Sequence, residues 1–372
     1  MKIAQIGPLM ESVPPRGYGG TERIVSYLTE ELVRLGHDVT LFASGDSVTS
    51  ARLVSCAATA LRLDPHVRDP IPYYMLMLDR VRESAEDFDI LHFHIDQFHF
   101  PLFRPTAGCT VTTLHGRQDL PDLRPFYFGF SEMPLVSISN SQRAPIRNAN
   151  FAATVYHGLP VDLLRPTFHP RGGYLAFLGR ISPEKGVDHA ITVARMLGIP
   201  LKIAAKVDRV DEVYFREKIA PLLDNPGVEF IGEINDQEKS EFLGHALALM
   251  FLIDWPEPFG LSMIEAMACG TPILAFRRGS VEEVVGHGTT GYIVDSVEDA
   301  ILSMPRVMAL DRRAVRRKFE ERFTSARMAK DYVRVYKSLG VRANQIGVPP
   351  RVDRAYAGPV KQAHNPSEPV IK

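Results

Sequence analysis

Glu257-Pro258-Phe259-Gly260-Leu261-Ser262-Met263-Ile264-Glu265 follows the apolar run Ala246-Leu247-Ala248-Leu249-Met250-Phe251-Leu252-Ile253 and leads into Ala266-Met267-Ala268-Cys269-Gly270-Thr271-Pro272. An apolar run of strand length is what a strand buried on both faces requires. A helix over Ser262–Ala268 is expected next, with Gly270 as its C-cap and Pro272 as its stop. A buried strand feeding a helix through a Pro/Gly loop is an α/β unit, and such loops bind phosphorylated ligands. The amides of Phe259, Gly260 and Leu261 are expected at the positive end of that helix, without intrahelical acceptors. Glu257 and Glu265 would repel an anion there unless their oxygens are engaged, and a carboxylate accepts readily from two neighbouring hydroxyls. A diphosphate flanked by polyols, as in a nucleotide sugar, meets both conditions. On spacing alone, the two carboxylates read equally well as a loop residue and a solvated helix residue.

Working outward, the same alternation recurs along the chain. Lys2–Ile6 reads as a strand, Thr21–Leu35 as a helix with Ile24, Leu28, Leu32 and Leu35 on one face, and His37–Ala43 as a strand. Ile90–Ile95, Thr110–Leu114, Leu135–Ser139 and Thr154–Tyr156 read as further short strands. After a break rich in Pro, Gly and charge over residues 163–173, a second series begins with Tyr174–Arg180. It continues through a helix at Val187–Leu197 and strands at Leu201–Ala205, Val228–Gly232 and Gly291–Val294. Such alternation implies right-handed βαβ units and parallel sheets. The expected fold class is α/β, with two Rossmann-like domains at 1–165 and 172–322 facing each other across a shared cleft. Met328, Tyr332, Val335, Tyr336 and Leu339 mark a terminal helix over 323–340, capped by Thr324 or Ser325 and crossing back toward the first domain. The Pro-rich remainder, 341–372, is expected to be flexible.

Composition narrows the function classes. The chain has 372 residues, 45% hydrophobic and 23% charged, with a formal net charge of -1. That balance excludes a global attraction to nucleic acid or to an anionic membrane. No stretch approaches the roughly 20 apolar residues of a membrane helix, and the first apolar run ends too soon for a signal peptide. A local patch for peripheral membrane contact stays open. Cys56, Cys109 and Cys269 are odd in number and far apart, which points to reduced core thiols of a cytoplasmic protein.

Three further stretches carry chemistry. In Leu178-Gly179-Arg180-Ile181-Ser182-Pro183-Glu184-Lys185-Gly186, Arg180 offers a planar fork and Lys185 a mobile charge, a pair suited to a leaving phosphate. The bland alternative is a solvated turn with Glu184 pairing locally. In Arg16-Gly17-Tyr18-Gly19-Gly20-Thr21-Glu22, the glycines allow close backbone approach and Thr21 is a candidate cap, although G-x-G-x-x-G is absent. A plain flexible loop fits those residues as well. His115, in Leu114-His115-Gly116, ends a strand at the cleft rim, where it serves either a sugar hydroxyl or merely the local structure. Asp87 and Asp89 have the spacing of a metal-binding carboxylate pair but precede their strand, which puts them at the wrong edge. His92, His94 and His99 lack a further ligand. No metal or other cofactor is expected from either group.

In order and position, these pieces together resemble the retaining glycosyltransferases of family four, with the GT-B architecture. The matching residues are Gly19-Gly20-Thr21-Glu22, His115-Gly116, Gly179-Arg180 with Glu184-Lys185-Gly186, and Glu257 through Pro272. The resemblance implies a hexose-like sugar moved from a nucleotide-diphosphate donor, UDP-linked, to a hydroxyl acceptor with retention and without a metal. It also implies roles. Arg180 and Lys185 hold the diphosphate, and Gly20, with Gly19 beside it, approaches from the opposite domain. Glu265 holds the ribose, Glu257 contacts the transferred sugar beside Phe259, Gly260 and Leu261, and His115 contacts the sugar near the reacting carbon. Base contacts fall to main chain around Gly232 and Ile234. The acceptor stays open among a sugar, a glycan, a lipid-linked glycan and a small aglycone. Two other readings compete: a nucleotide-sugar epimerase or hydrolase on the same fold, and a binding protein without catalysis, which the four charges argue against. Departures from the family are His157, where an Asn is frequent, and Gly279-Ser280, where Gly-Gly is.

Overall fold

The computed structural model describes residues 1–17 and 19–345. Two parallel sheets organise the chain. The first contains β1 (Lys2–Ile6), β2 (Asp38–Ser44), β3 (Arg52–Ala57), β4 (Ile90–Phe93), β5 (Thr110–Thr113), β6 (Leu135–Ser137) and β7 (Phe151–Thr154), in the order β3-β2-β1-β4-β5-β6-β7. The second contains β8 (Leu175–Ile181), β9 (Leu201–Val207), β10 (Val228–Gly232), β11 (Ala248–Phe251), β12 (Ile273–Phe276) and β13 (Gly291–Val294), in the order β10-β9-β8-β11-β12-β13. Both orders reverse direction next to their first strand, at β1/β4 and β8/β11. Open α/β sheets bind ligands beyond the carboxyl ends at such a switch point. The α/β class and the two-domain architecture expected from sequence are what the structure has.

The central strands are buried throughout, β4, β5, β11 and β12 at every residue. Helices cover the sheets because their apolar stripes face inward. Gly20–Arg34 buries Ile24, Leu28 and Leu32, and Val187–Leu197 buries Val187, Ala190, Ile191 and Ala194. The first helix begins at Gly20 with Gly19 as its N-cap, so Thr21 lies inside the helix and does not cap it. β7 occupies residues 151–154, earlier than the expected 154–156. β3 and the helix Ile71–Glu83 were not anticipated.

The chain crosses between the domains twice, side by side. Leu159 pairs with Thr324 in an isolated bridge, its amide donating to Phe323 O (2.9 Å) and its carbonyl accepting from Ser325 N (2.8 Å). Gly158 lies against this return, since a Cβ there would sit 2.2 Å from Thr324 O. Three arginines hold the crossing by its carbonyls: Arg312 at Thr167 O, Arg316 at Val161 O and Leu164 O, and Arg327 at Tyr156 O and His157 O.

The terminal helix, Ser325–Gln345, then packs Met328, Tyr332, Val335, Tyr336 and Leu339 against the core of the first domain. Thr324 caps it, accepting from Arg327 N at 3.2 Å, while the Ser325 hydroxyl donates to Glu31. Residues 346–372, most of the stretch expected to be flexible, lie outside the described residues. Among the described residues no helix is long and apolar enough to cross a membrane. All three cysteines are unpaired, but only Cys269 is buried; Cys56 and Cys109 are half-buried, short of the core positions expected for them.

Candidate active site

The decisive stretch folds as strand, loop and helix, with a shift at the join. The helix is Leu261–Ala268 and its N-cap is Gly260, at φ +80°. Only glycine takes that conformation without strain, and a Cβ there would also meet Phe251 Cζ at 2.8 Å. Phe259 therefore precedes the cap. Its amide is not in the first turn as expected, and its ring is 2% exposed within the core of the second domain. The amides that open the helix are those of Leu261 and Ser262. Gly270, at φ +75°, terminates it: Gly270 N donates to Met267 O and Thr271 N to Ala266 O.

Both carboxylates are engaged by protein partners. Glu265 is 5% exposed and accepts from Lys239 Nζ at 2.7 Å. Glu257 Oε2 accepts from Lys185 Nζ at 2.5 Å and from Trp255 Nε1 at 2.8 Å. Gly279 and Ser280 brace this loop from behind. Ser280 N donates to Glu257 O (3.0 Å) and Ser280 Oγ to Phe259 O (2.9 Å), while a Cβ on Gly279 would sit 2.4 Å from Glu257 N and O. The serine that departs from the common Gly-Gly pair thus anchors the loop through its hydroxyl.

Arg180 lies near the end of β8 and meets three carboxylates: Glu184 at 2.8 Å, Asp208 at 3.4 Å and Asp211 at 3.8 Å. Local pairing with Glu184, the bland alternative, is therefore present, in a cation that also stands at the carboxyl edge of the sheet. Burial raises the Asp211 carboxyl, with Arg180 opposing. Lys185 ends a short turn, and Gly186 at φ +64° follows; a Cβ there would lie 2.0 Å from Leu252 O, so backbone packing of this turn onto the end of β11 requires glycine.

The first domain supplies the facing wall. A Cβ on Gly20 would touch Leu261 Cδ1 at 3.4 Å, which sets the glycine loop directly against the start of the motif helix. Ser139 Oγ donates to Pro258 O at 2.6 Å, and Arg23 pairs with Asp236 at 2.5 Å. Asp236 in turn lies 3.3 Å from Lys239, so a chain of charges runs from the first domain to Glu265. Glu283 bridges as well, accepting from Asn140 N and Ser141 N at 2.7 Å.

His115 follows β5 and is half-buried. Its Nε2 meets His94 Nδ1 at 2.9 Å and its ring stacks on His157 at 5.3 Å. His157, the departure from the frequent Asn, is 4% exposed and meets the Phe259 ring edge-on at 4.9 Å. Burial pushes His115 down to about 3 and holds His157 well below the ordinary imidazole range. Both imidazoles are neutral at pH 7.

The structure therefore brings Gly19, Gly20, His115, Arg180, Lys185, Glu257, Phe259, Gly260, Leu261 and Glu265 to one interdomain region. Gly232, at φ +79°, and half-buried Ile234 border it from the end of β10. Asp87 and Asp89 lie apart, at the amino ends of the strands, where Asp89 accepts from Lys2 N at 2.7 Å. Sequence reading missed Trp255 and Lys239. Trp255 lies beneath Lys185 Nζ (5.1 Å to the ring centroid) and Arg117 (5.9 Å), one cation from each domain.

Two parallel α/β domains meeting at a cleft of paired cations and carboxylates define a GT-B sugar-transferring enzyme. The family model for glycosyl transferases group 1 matches residues 167–322, and that for Glycosyltransferase Family 4 matches residues 18–161. N-acetyl-alpha-D-glucosaminyl L-malate synthase of Bacillus anthracis is 27% identical over 311 residues, 71% of this chain and 79% of that protein. Phosphatidyl-myo-inositol mannosyltransferase of Mycobacterium leprae is 24% identical, covering 94% of this chain and all (100%) of that one. Among solved structures, the Anabaena protein HepE in complex with UDP and glucose superposes with a TM-score of 0.68 at 17% identity, over 91% of this chain and 100% of its own. The chain belongs to the group 1, family 4 glycosyltransferases.

Proposed function

We propose that the protein is a retaining, metal-independent hexosyltransferase, acting in the cytoplasm on a UDP-linked sugar and a hydroxyl acceptor. The observation that carries this reading is the Lys185–Glu257 pair at 2.5 Å beside Arg180 and the motif helix. A diphosphate seated at the opening amides of that helix replaces carboxylates as the partner of Lys185 and Arg180. Glu257 is then released toward sugar hydroxyls, and Glu265, steadied by Lys239, faces the ribose. The glycosidic C1–O bond to the diphosphate breaks, a new C1–O bond forms to the acceptor oxygen on the same face, and the acceptor proton passes to the departing phosphate oxygen. The two cations stabilise the charge that grows on the leaving group, which is the work a metal would otherwise do. Neutral His115 serves a sugar hydroxyl and does not serve as a cation. A UDP donor is supported by the solved relative that holds UDP and glucose, and a cytoplasmic site by the three unpaired cysteines.

The test is a donor-by-acceptor screen read by mass spectrometry, with the anomeric configuration of the product assigned by NMR and each reaction repeated in chelator. Transfer with retention, undiminished by chelator, is the expected result. Isomerised or hydrolysed donor in acceptor-free controls would favour the epimerase or hydrolase, and no nucleotide-sugar binding at millimolar concentration by calorimetry would refute the reading altogether.

A further inference from the structure

Behind His115 a chain of buried polar groups crosses the first domain, and nothing described so far uses it. Gln5 on β1 and His92 on β4 are fully buried (0% exposed), and His94, just past β4, is 3% exposed. His94 Nε2 meets Gln5 Oε1 at 2.8 Å. The Gln5 amide nitrogen lies 3.1 Å from Tyr336 Oη on the terminal helix and 3.3 Å from His92 Nδ1. Tyr336 Oη is 2.7 Å from that same His92 nitrogen. A second branch runs from His92 Nε2 to Thr113 Oγ1 (2.7 Å) and on to Tyr332 Oη (2.8 Å).

The protons can be assigned step by step. With the Gln5 nitrogen donating to Tyr336, its oxygen must accept from His94, so His94 carries its proton on Nε2. A neutral imidazole has only one. His94 Nδ1 is therefore an acceptor, and the 2.9 Å contact is donated by His115 Nε2–H. His115 Nδ1 is left with a lone pair, buried and without a hydrogen-bond partner. The reverse orientation of the Gln5 amide would put the proton on that nitrogen and strand a buried N–H, the rarer fault in folded proteins.

We propose that Gln5 and His94 are positioning residues that hold His115 as its Nε2–H tautomer, so that its Nδ1, sealed and unpartnered in this structure, keeps a lone pair for a hydroxyl group of a sugar whose binding uncovers it. The inference rests on the reading of His115 as a sugar contact. It assigns the group served as a hydrogen-bond donor, a neutral hydroxyl, in preference to a phosphate oxygen. It also means that the terminal helix, through Tyr336, belongs to the network that holds the proton position in a cleft residue.

The experiment uses the full chain labelled with 15N-histidine, and reads the protonated nitrogen of His115 from two-bond 1H–15N correlations. In the wild type the proton should be on Nε2; finding it on Nδ1 overturns the proposal. Gln5→Leu should produce mixed or reversed tautomers at His115 and lower kcat roughly tenfold to a hundredfold, with the KM for the donor within about twofold. Tyr336→Phe, a smaller change, is the variant to use if Gln5→Leu does not fold, and should shift the tautomer in the same direction. Thr113→Val, on the branch that bypasses His115, should cost stability but leave tautomer and kcat within about twofold. A tautomer shift of equal size in Thr113→Val, or lost stability without any tautomer change in Gln5→Leu, would reduce the network to packing. Unchanged turnover in His115→Ala would instead sink the sugar contact on which the inference rests, while the wild-type spectrum still decides the tautomer.

Discussion

Lys185 and Glu257 neutralise each other in the site proposed to admit a dianionic diphosphate, and Trp255 donates to the same carboxylate oxygen. On the proposed reading, binding exchanges partners and does not fill unpaired charges. Lys185→Ala should lower kcat/KM by about a hundredfold to a thousandfold, as loss of one charge-stabilising donor does. Stability should change by no more than about 1 kcal/mol, because the pair is partly exposed; steady-state kinetics and thermal melts check both. Unchanged kinetics would remove Lys185 from the site. At this scale the sequence showed which residues carry charge and not whom they meet. Arg180 and Lys185 were legible because they follow a strand in one short stretch. Lys239 was not, since its partner Glu265 is 26 positions away and only the fold joins them.

Elements were legible where a regular apolar pattern meets a chemical stop. Val187–Leu197 runs between Gly186 and Gly198, both in the left-handed region, and the sequence expectation matches it at both ends. β3 escaped notice as an edge strand, half-exposed over most of its length. The helix Ile71–Glu83 was obscured because Ile71, Met75 and Leu76 are all exposed, which blurs its apolar stripe. The glycines beside the motif give the sharpest expectation here. Gly279→Ala would place a methyl group 2.4 Å from the Glu257 backbone at φ +55°. It should destabilise by about 2 kcal/mol or more and weaken nucleotide-sugar binding by displacing Glu257. Denaturant unfolding and calorimetry would show both losses, and wild-type values for either would contradict the bracing role of residues 279–280.

Across the whole molecule, the first domain carries an unusual load of buried histidine. Burial holds His92, His94, His99 and His157 well below the ordinary range and takes His115 down to about 3. Unfolded, each takes a proton near pH 6.5. Between the lowered folded values and that pH, the unfolded state binds more protons, so stability present above about pH 6.5 is lost as the pH falls. Each neutral histidine contributes a slope of up to about 1.4 kcal/mol per pH unit. Glu11, Glu22 and Asp96, raised by burial, work in the opposite direction at lower pH. Melting temperature should therefore fall steeply from pH 6.5 to 5; a flat profile would mean that these imidazoles are charged in the folded protein.

Trp255 is the chain's one tryptophan, and its ring lies close to both Lys185 (5.1 Å) and Arg117 (5.9 Å), with its indole nitrogen on Glu257. An indole's emission responds to adjacent charge, so the protein carries a built-in optical probe at the point where donor binding is proposed to rearrange ions. Titration with UDP or its sugars should change that emission saturably, with a midpoint equal to the calorimetric Kd. Emission indifferent to a ligand that calorimetry shows to bind would place the nucleotide elsewhere. The same signal, followed by stopped flow, would time the exchange of ion pairs separately from the transfer of the sugar.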